Sequence, residues 1–382
     1  MTTPIYLDHN ATSPLDPAVL EAMRPHWLAG GNPDSRHAAG RAARRALDRA
    51  RETVAAVLGA APGEVVFTSG GTEANNLAVF GHSREADAGR VVAGPVEHPA
   101  VAEPLAVLER RGVRVDRLPV GPDGVAEVEG ASAILTFDPS VRFATLMLAQ
   151  NETGAIQPVG RLAEVAADSG VPVHTDAVQA VGRVPVDFHA LGVATLAASA
   201  HKLGGPAGVG VLLVRSGTAL DPLLRGGGQQ GGRRPGTVPV ALAVGLAEAL
   251  SLWHREAAER QARWRAQRDH LERGLRAALG DGVAVHGPAD PARRLPQTLH
   301  VGFPGRDGNA LLMQLDLAGV QASLGAACAS GAAAASPTLL AMGVPEGLAR
   351  ASVRFSLGAT TTDAEVEAAL SRIVAVARRA GA

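Results

Sequence analysis

Short apolar runs alternate along this chain with longer stretches of helical period. Apolar residues at 43, 46, 47, 50, 54, 57 and 58 recur at the spacing of a surface helix beginning near Arg41. Arg41, Arg44, Arg45 and Arg49 lie largely off that stripe, which reads as a solvated face before it reads as a nucleic-acid surface. Residues 5–7 predict a short strand, followed by a polar turn through Asp8, His9 and Asn10. Apolar runs at 64–68, 90–96, 113–118, 144–148, 171–174, 194–198 and 209–214 end at turn residues and predict strands, with a helix over 73–80. Strands spaced by helical segments predict an α/β fold with a mostly parallel sheet. In such folds functional residues gather at the carboxyl ends of strands, where Ser69, His98, Asn151 and Asp176 fall.

Beyond the glycine-rich stretch 226–232, a long helical pattern runs from 240 to 279. The remainder predicts a smaller α+β part, with strands at 297–301 and 353–357 and helices at 310–317 and 363–380. The last helix opens at Thr362 or Asp363. The expected division is a large domain of 16–256 and a small domain combining 1–15 with 257–382. No tandem repeat and no long linker interrupts it.

Composition narrows the class. With 382 residues, 46% hydrophobic content and a net charge of −1, the chain can bury a sizeable core. It has no general pull toward nucleic acid or acidic membranes. No secretory leader is expected, since the N-terminal residues have neither a basic n-region nor an apolar h-region. The longest apolar run, 238–247, contains Pro239 and is well short of the ~20 residues that cross a bilayer. The cytoplasm is the expected compartment. A single cysteine excludes an internal disulfide, and no cysteine cluster offers a zinc site. Aromatic residues are only 3% of the chain, so a histidine is the expected stacking partner for any flat cofactor.

Candidate chemistry begins with Lys202, the one lysine among many arginines. Arginine serves charge and anion binding, but only a lysine amine readily loses its proton and attacks a carbonyl. Lys202 follows Asp176 by 26 residues, in Ser199-Ala200-His201-Lys202. Gly70-Gly71-Thr72 follows a predicted strand and opens a helix. That loop suits one phosphate and lacks the patterns of nucleoside-triphosphate and dinucleotide sites. Asp176 is suited to face a pyridine nitrogen and keep it protonated, with Gln179 near the ring's phenolic oxygen. His98 is suited to stack on the ring, and Ser199 and His201 to hold phosphate. Each residue alone is as well explained by structure: a turn or N-cap aspartate, a plain αβ turn. Together they specify pyridoxal 5′-phosphate. Arg354 lies in a strand whose polar and apolar residues alternate, which puts it on the face away from the small core. A guanidinium there suits a carboxylate. Cys328, the only thiol, sits among glycine, alanine and serine, which reads as a loop and not as a core element.

The motifs span nearly the whole chain: YLDHNATSPLDP at 6–17, GNPDSRH at 31–37, FTSGGTEANN at 67–76, VEHPAV at 96–101, NETGAIQPV at 151–159, HTDAVQA at 174–180, SAHKLGGP at 199–206, RRPGTVP at 233–239, SLGAACASG at 323–331 and SVRFSLG at 352–358. In these the chain resembles cysteine desulfurases of the class V aminotransferase group, fold-type I enzymes that use pyridoxal phosphate. The resemblance implies that Lys202 bonds the cofactor, that Asp176 and Gln179 hold its ring nitrogen and hydroxyl, and that His98 stacks on it. Gly71, Thr72, Ser199 and His201 bind phosphate, with Thr237 added from the neighbouring subunit of a homodimer. Asn151 and Arg354 bind the substrate carboxylate. Cys328 takes sulfur from L-cysteine as a persulfide, leaving L-alanine, and passes it to an acceptor: an iron–sulfur scaffold, a tRNA-thiolation enzyme or another carrier. A selenocysteine lyase, or another lyase without need of Cys328, would keep the same cofactor residues. A non-catalytic scaffold would not need Lys202. Some positions depart from the family pattern: Ala326 for serine, Gln229-Gln230-Gly231 for His-Glu-Arg, Ala207 for lysine, and Ala334-Ala335 for an acidic residue and proline.

Overall fold

Strands and helices alternate through the first two thirds of the chain, as the polar pattern predicts. The computed structural model describes residues 3–83, 88–325 and 335–379. In order it carries β1 (Ile5–Tyr6), α1 (Pro17–Ala29), α2 (Ala38–Leu58), β2 (Val65–Thr68), α3 (Gly71–Ser83), β3 (Arg90–Ala93), α4 (Pro99–Arg110), β4 (Arg114–Arg117), α5 (Ser132–Phe137), β5 (Val141–Thr145), α6 (Val159–Ala167), β6 (Val173–Asp176), β7 (Thr195–Ser199) and β8 (Gly210–Val214). After these come α7 (Val240–Leu279), β9 (Ala284–His286), β10 (Thr298–Gly302), α8 (Gly308–Leu317), β11 (Val320–Gln321), β12 (Ser323–Leu324), α9 (Pro337–Ala341), α10 (Glu346–Arg350), β13 (Ser352–Ser356) and α11 (Asp363–Arg379).

The large sheet has the order β2-β8-β7-β6-β5-β3-β4. Only β8 runs against its neighbours; the other pairs are parallel, so the expected mostly parallel α/β sheet is present. Successive side chains face opposite layers. Val65, Phe67, Leu196, Ala198, Val211 and Leu213 join the core under α1, α2, α6 and the start of α7. Val66, Ala197, Leu212 and Val214 pack with Ala74, Leu77 and Ala78 of α3 on the other face. Arg41, Arg44, Arg45 and Arg49 of α2 stay exposed, and Arg44 pairs with Asp48 at 3.0 Å, as a solvated face requires; Arg51 instead turns in to the Val65 carbonyl. The strand expected at 144–148 forms instead at Val141–Thr145. Exposed Arg142 hides its start, and Leu146–Leu148 continue beyond it toward the site.

A second sheet, β12-β13-β10-β9, is antiparallel and packs with α8, α11 and the second half of α7 around Trp264, Leu271, Phe303 and Phe355. Helix α7, about 60 Å long at 1.5 Å per residue, contributes Leu246 and Leu250 to the first core and Trp253, Trp264 and Leu271 to the second. Ile5 and Leu7 also pack in the second core. Helix α11 is closed at its start by Thr362, whose Oγ1 accepts from the Glu365 amide, while Glu365 accepts from the Thr362 amide at 2.8 Å.

The unusual Gln229-Gln230 pair has a structural use. β2 is an edge strand, and Gln230 completes it: its Oε1 accepts from the Phe67 amide (2.7 Å) and its Nε2 donates to the Phe67 carbonyl (2.8 Å). Those two bonds offset the left-handed backbone of Gln230, φ 51°. Gln229 ties the same loop back on itself by accepting from the Gly236 amide.

Candidate active site

Five chain segments meet at the carboxyl ends of the sheet. Asp176 is the last residue of β6 and Ser199 the last of β7, and the turn 200–202 follows directly. Gly71 and Thr72 open α3, His98 caps the start of α4, and Asn151 sits in the turn after β5. One cavity is lined by Gly71, Thr72, His98, Asn151, Asp176, Gln179, Ser199, His201 and Lys202. Two expected residues are not on its wall. Arg354 lies behind the Asn151 turn, and Thr237 is exposed in the loop between the glycine-rich stretch and α7. Cys328 lies outside the described residues, as do Ala326 and Ala334.

Lys202 projects its amine to the carbonyls of Asn10 (2.7 Å) and Ala11 (2.8 Å). Burial, seconded by the Arg354 charge, draws its pKa down to about 8. About a tenth of the amine is therefore free base at pH 7. Uptake of an aldehyde by the apoprotein should quicken about tenfold from pH 7 to 9 and then level off, where an ordinary lysine would keep climbing past 10. Stopped-flow absorbance on adding pyridoxal phosphate reads this directly.

Across the cavity, both Asp176 oxygens are engaged: Oδ1 accepts from the Val178 amide (2.9 Å) and Oδ2 from Asn75 Nδ2 (2.7 Å). Hydrogen bonds to a carboxylate contribute about 1.5–3 kcal/mol each. Asn75 is itself oriented by a buried chain. Its Oδ1 can only accept, so His174 Nε2 donates to it (3.0 Å), and His174 Nδ1 then accepts from Thr195 Oγ1 (3.0 Å). That leaves Thr195 Oγ1 to accept from His82 Nε2 (3.0 Å). Burial draws the His174 pKa down to about 3, so the ring is neutral, as this chain of bonds needs. The motif reading quotes Asn75 and His174 but assigns them nothing. The available signal was a polar residue, Asn75, beside the apolar row Ala74, Leu77 and Ala78 of α3.

The remaining lining residues are equally fixed. His98 Nδ1 accepts from the Ala100 amide (3.0 Å), which leaves the ring proton on Nε2, and burial with the Lys202 charge lowers its pKa. Gln179 Nε2 donates to the Asn10 carbonyl (2.9 Å), while its Oε1 is buried without a partner. His201 Nδ1 meets Thr12 Oγ1 at 3.1 Å, and burial brings its pKa to about 4. A Cβ at Gly71 would stand 2.6 Å from Val178 Cγ2, so only glycine leaves the helix start open there. Glu97, a neighbour that sequence reasoning passed over, accepts from the Met147 amide. Burial and the nearby Asp176 push its carboxyl up to about 8. Arg354 is buried; it donates to the Asn151 carbonyl (3.0 Å) and to Asp8 Oδ1 (2.8 Å), and its Nε has no partner.

This donor set fits pyridoxal phosphate. An orphaned Gln179 oxygen, a lysine amine and a carboxylate share one cavity with the glycine-opened start of α3, whose first N–H groups have no intrahelical acceptor. The fold and site thus define a pyridoxal phosphate enzyme of fold-type I. The chain belongs to the class-V aminotransferase family, whose profile matches residues 5–369. An IscS-like cysteine desulfurase of Mycobacterium tuberculosis is 44% identical over 98% of this chain and 97% of its own. Among solved structures, a NifS-like protein superposes with a TM-score of 0.90 at 34% identity, covering 98% of this chain and 99% of that one. SspA in complex with cysteine superposes with a TM-score of 0.78 at 29% identity, over 94% and 100%.

Proposed function

We propose that this chain is a cysteine desulfurase, converting L-cysteine to L-alanine with transfer of sulfur to Cys328. The carrying observation is the Lys202 amine and the Asp176 carboxylate in one cavity, within a chain 44% identical to an IscS-like cysteine desulfurase over nearly its full length. In the overall reaction the Cβ–S bond of the substrate breaks and an S–S bond forms on Cys328. One thiol proton ends on the alanine methyl group and the other stays on the persulfide. Incubating the protein with L-cysteine and a thiol reductant should yield alanine and sulfide in equal amounts. Alanine without sulfide, or neither, would refute the reading.

Lys202, Asp176, Gln179, His98, Ser199, His201, Gly71 and Thr72 would hold the cofactor, which when bound supplies an electron sink for breaking the Cα–H bond. The Lys202 amine, its pKa lowered by burial, takes up and returns the Cα proton, with His98 Nε2 as the second proton carrier. Arg354 and Asn151 orient the substrate carboxylate. What supports this is that Arg354 donates to the Asn151 carbonyl and keeps an unpartnered Nε beside that turn. Asp176→Asn should leave the cofactor bound yet lower turnover by about a hundredfold or more, because an amide cannot supply the charge that pairs with a pyridinium. Near-normal kcat in that variant would reduce Asp176 to a turn residue.

The working unit is a homodimer. Thr237 is exposed and absent from its own cavity, and α1 leaves Trp27 and Leu28 57% and 83% exposed. Light scattering should return twice the chain mass, and Thr237→Ala should weaken cofactor retention. A monomer with full cofactor content would contradict this. The division at 16–256 is supported by the change of core along α7. No helix among the described residues is long and apolar enough to cross a membrane, and the proposed compartment is the cytoplasm. The persulfide then passes to an acceptor protein.

A further inference from the structure

The two described ends of the chain that flank the Cys328 segment converge on one buried side chain. Glu152 follows Asn151 in the turn after β5 and is 5% exposed. Its Oε2 accepts from Ser336 Oγ at 2.6 Å. The same oxygen stands 2.2 Å from where a Cβ on Gly325 would be, so the backbone at Gly325 passes directly against the carboxyl. Ser336 is also the N-cap of α9, its Oγ accepting from the Leu339 amide at 3.2 Å.

The turn that presents Glu152 is built to be rigid. Gln150 Oε1 accepts from the amides of Glu152 (2.5 Å) and Thr153 (2.9 Å), and its Nε2 donates to Thr338 Oγ1 (2.9 Å) in the first turn of α9. One four-residue turn therefore carries Asn151 toward the cavity, Glu152 toward both flanks of the cysteine segment, and Gln150 toward α9. Glu152 and Asn151 also share a second cavity of about 550 Å³ that contains His98, Gly325 and Thr338, adjoining the first.

We propose that Glu152 is a positioning residue that holds Ser336 by a hydrogen bond, sets by packing how closely Gly325 approaches the substrate-binding turn, and so bounds the reach of Cys328. This role rests on the desulfurase reading. Cys328 follows Gly325 by three residues, at most about 11 Å of extended chain, so the position of Gly325 bounds the distance of the thiol from this turn. Burial raises the Glu152 carboxyl pKa against the donor at Ser336 and the Arg354 charge. A buried carboxyl in an unfavourable setting, where glutamine would meet the same hydrogen bond, suits a geometric role.

The test uses the cofactor-loaded protein and the variants Glu152→Ala, Glu152→Gln, Gly325→Ala and the double Glu152→Ala/Gly325→Ala. Three quantities are read: cofactor absorbance and its titration with L-cysteine, the alkylation rate of Cys328 by iodoacetamide, and single-turnover persulfide formation by mass spectrometry. Glu152→Ala should slow persulfide formation by about a hundredfold, the cost of roughly an ångström of misplacement. Its L-cysteine titration and alkylation rate should stay at the wild-type values. Glu152→Gln should recover most of the rate. Gly325→Ala should slow it alone but add nothing to Glu152→Ala, since the colliding oxygen is gone. Persulfide formation at the wild-type rate in Glu152→Ala would overturn the proposal, as would parallel loss of L-cysteine binding or of alkylation. Absence of persulfide in the wild type would instead overturn the desulfurase reading beneath it.

Discussion

Lys202→Arg is expected to abolish the visible absorbance of bound pyridoxal phosphate and all formation of alanine, in a protein that still folds. The Lys202 amine reaches two backbone carbonyls inside the cavity, and its pKa of about 8 leaves roughly a quarter of it as free base at pH 7.5. A guanidinium, with a pKa above about 12, offers less than about one part in 10⁴. Lys202 is the only lysine, so no second side-chain amine in the chain can take its place. Positive charge and hydrogen bonding to Asn10 and Ala11 survive the substitution, which isolates the amine's nucleophilicity as the lost property. Circular dichroism establishes the fold, and absorbance with alanine assay gives the result. Turnover in the folded variant would remove the covalent role of Lys202.

Cys328→Ser is expected to separate binding from sulfur transfer. L-cysteine should still perturb the cofactor spectrum, because Lys202, Asp176, Asn151 and Arg354 are untouched. Alanine formation should fall on the order of a thousandfold or more, the scale of losing a nucleophile. Serine keeps the size of the side chain, but its hydroxyl does not ionise near neutrality, and the thiolate is the form that attacks sulfur. No other thiol exists in the chain to compensate. A serine variant that matches the wild type would favour a lyase that needs no enzyme thiol.

Much of this architecture was legible from polarity alone, and the failures have physical causes. Most strands of the large sheet read correctly because parallel strands are buried on both faces and appear as continuous apolar runs, as at residues 91–93 of β3. β5 was displaced because Arg142 sits on its exposed face. Helix α1 has a clear opening, Asp16 capping it ahead of Pro17, yet its exposed Leu20, Trp27 and Leu28 blur the apolar stripe that would mark its buried side. The cavity residues were legible because each chemical type is rare or placed at a strand end. Their supports were not. The link from Asp176 through Asn75 to His174 joins residues 101 and 99 positions apart in sequence. The Asp8–Arg354 pair joins residues 346 apart. Such contacts exist only once α3, β6, β13 and the N-terminal segment have packed, and no local pattern encodes them.

The central claim is that sulfur leaves L-cysteine and rests on Cys328. The direct measurement is the intact mass of the cofactor-loaded protein after L-cysteine treatment without reductant, followed by peptide mapping. The account predicts a gain of one sulfur atom, confined to the peptide that contains Cys328 and reversed by thiol reductant. An unchanged mass, while alanine accumulates in the same solution, would contradict it.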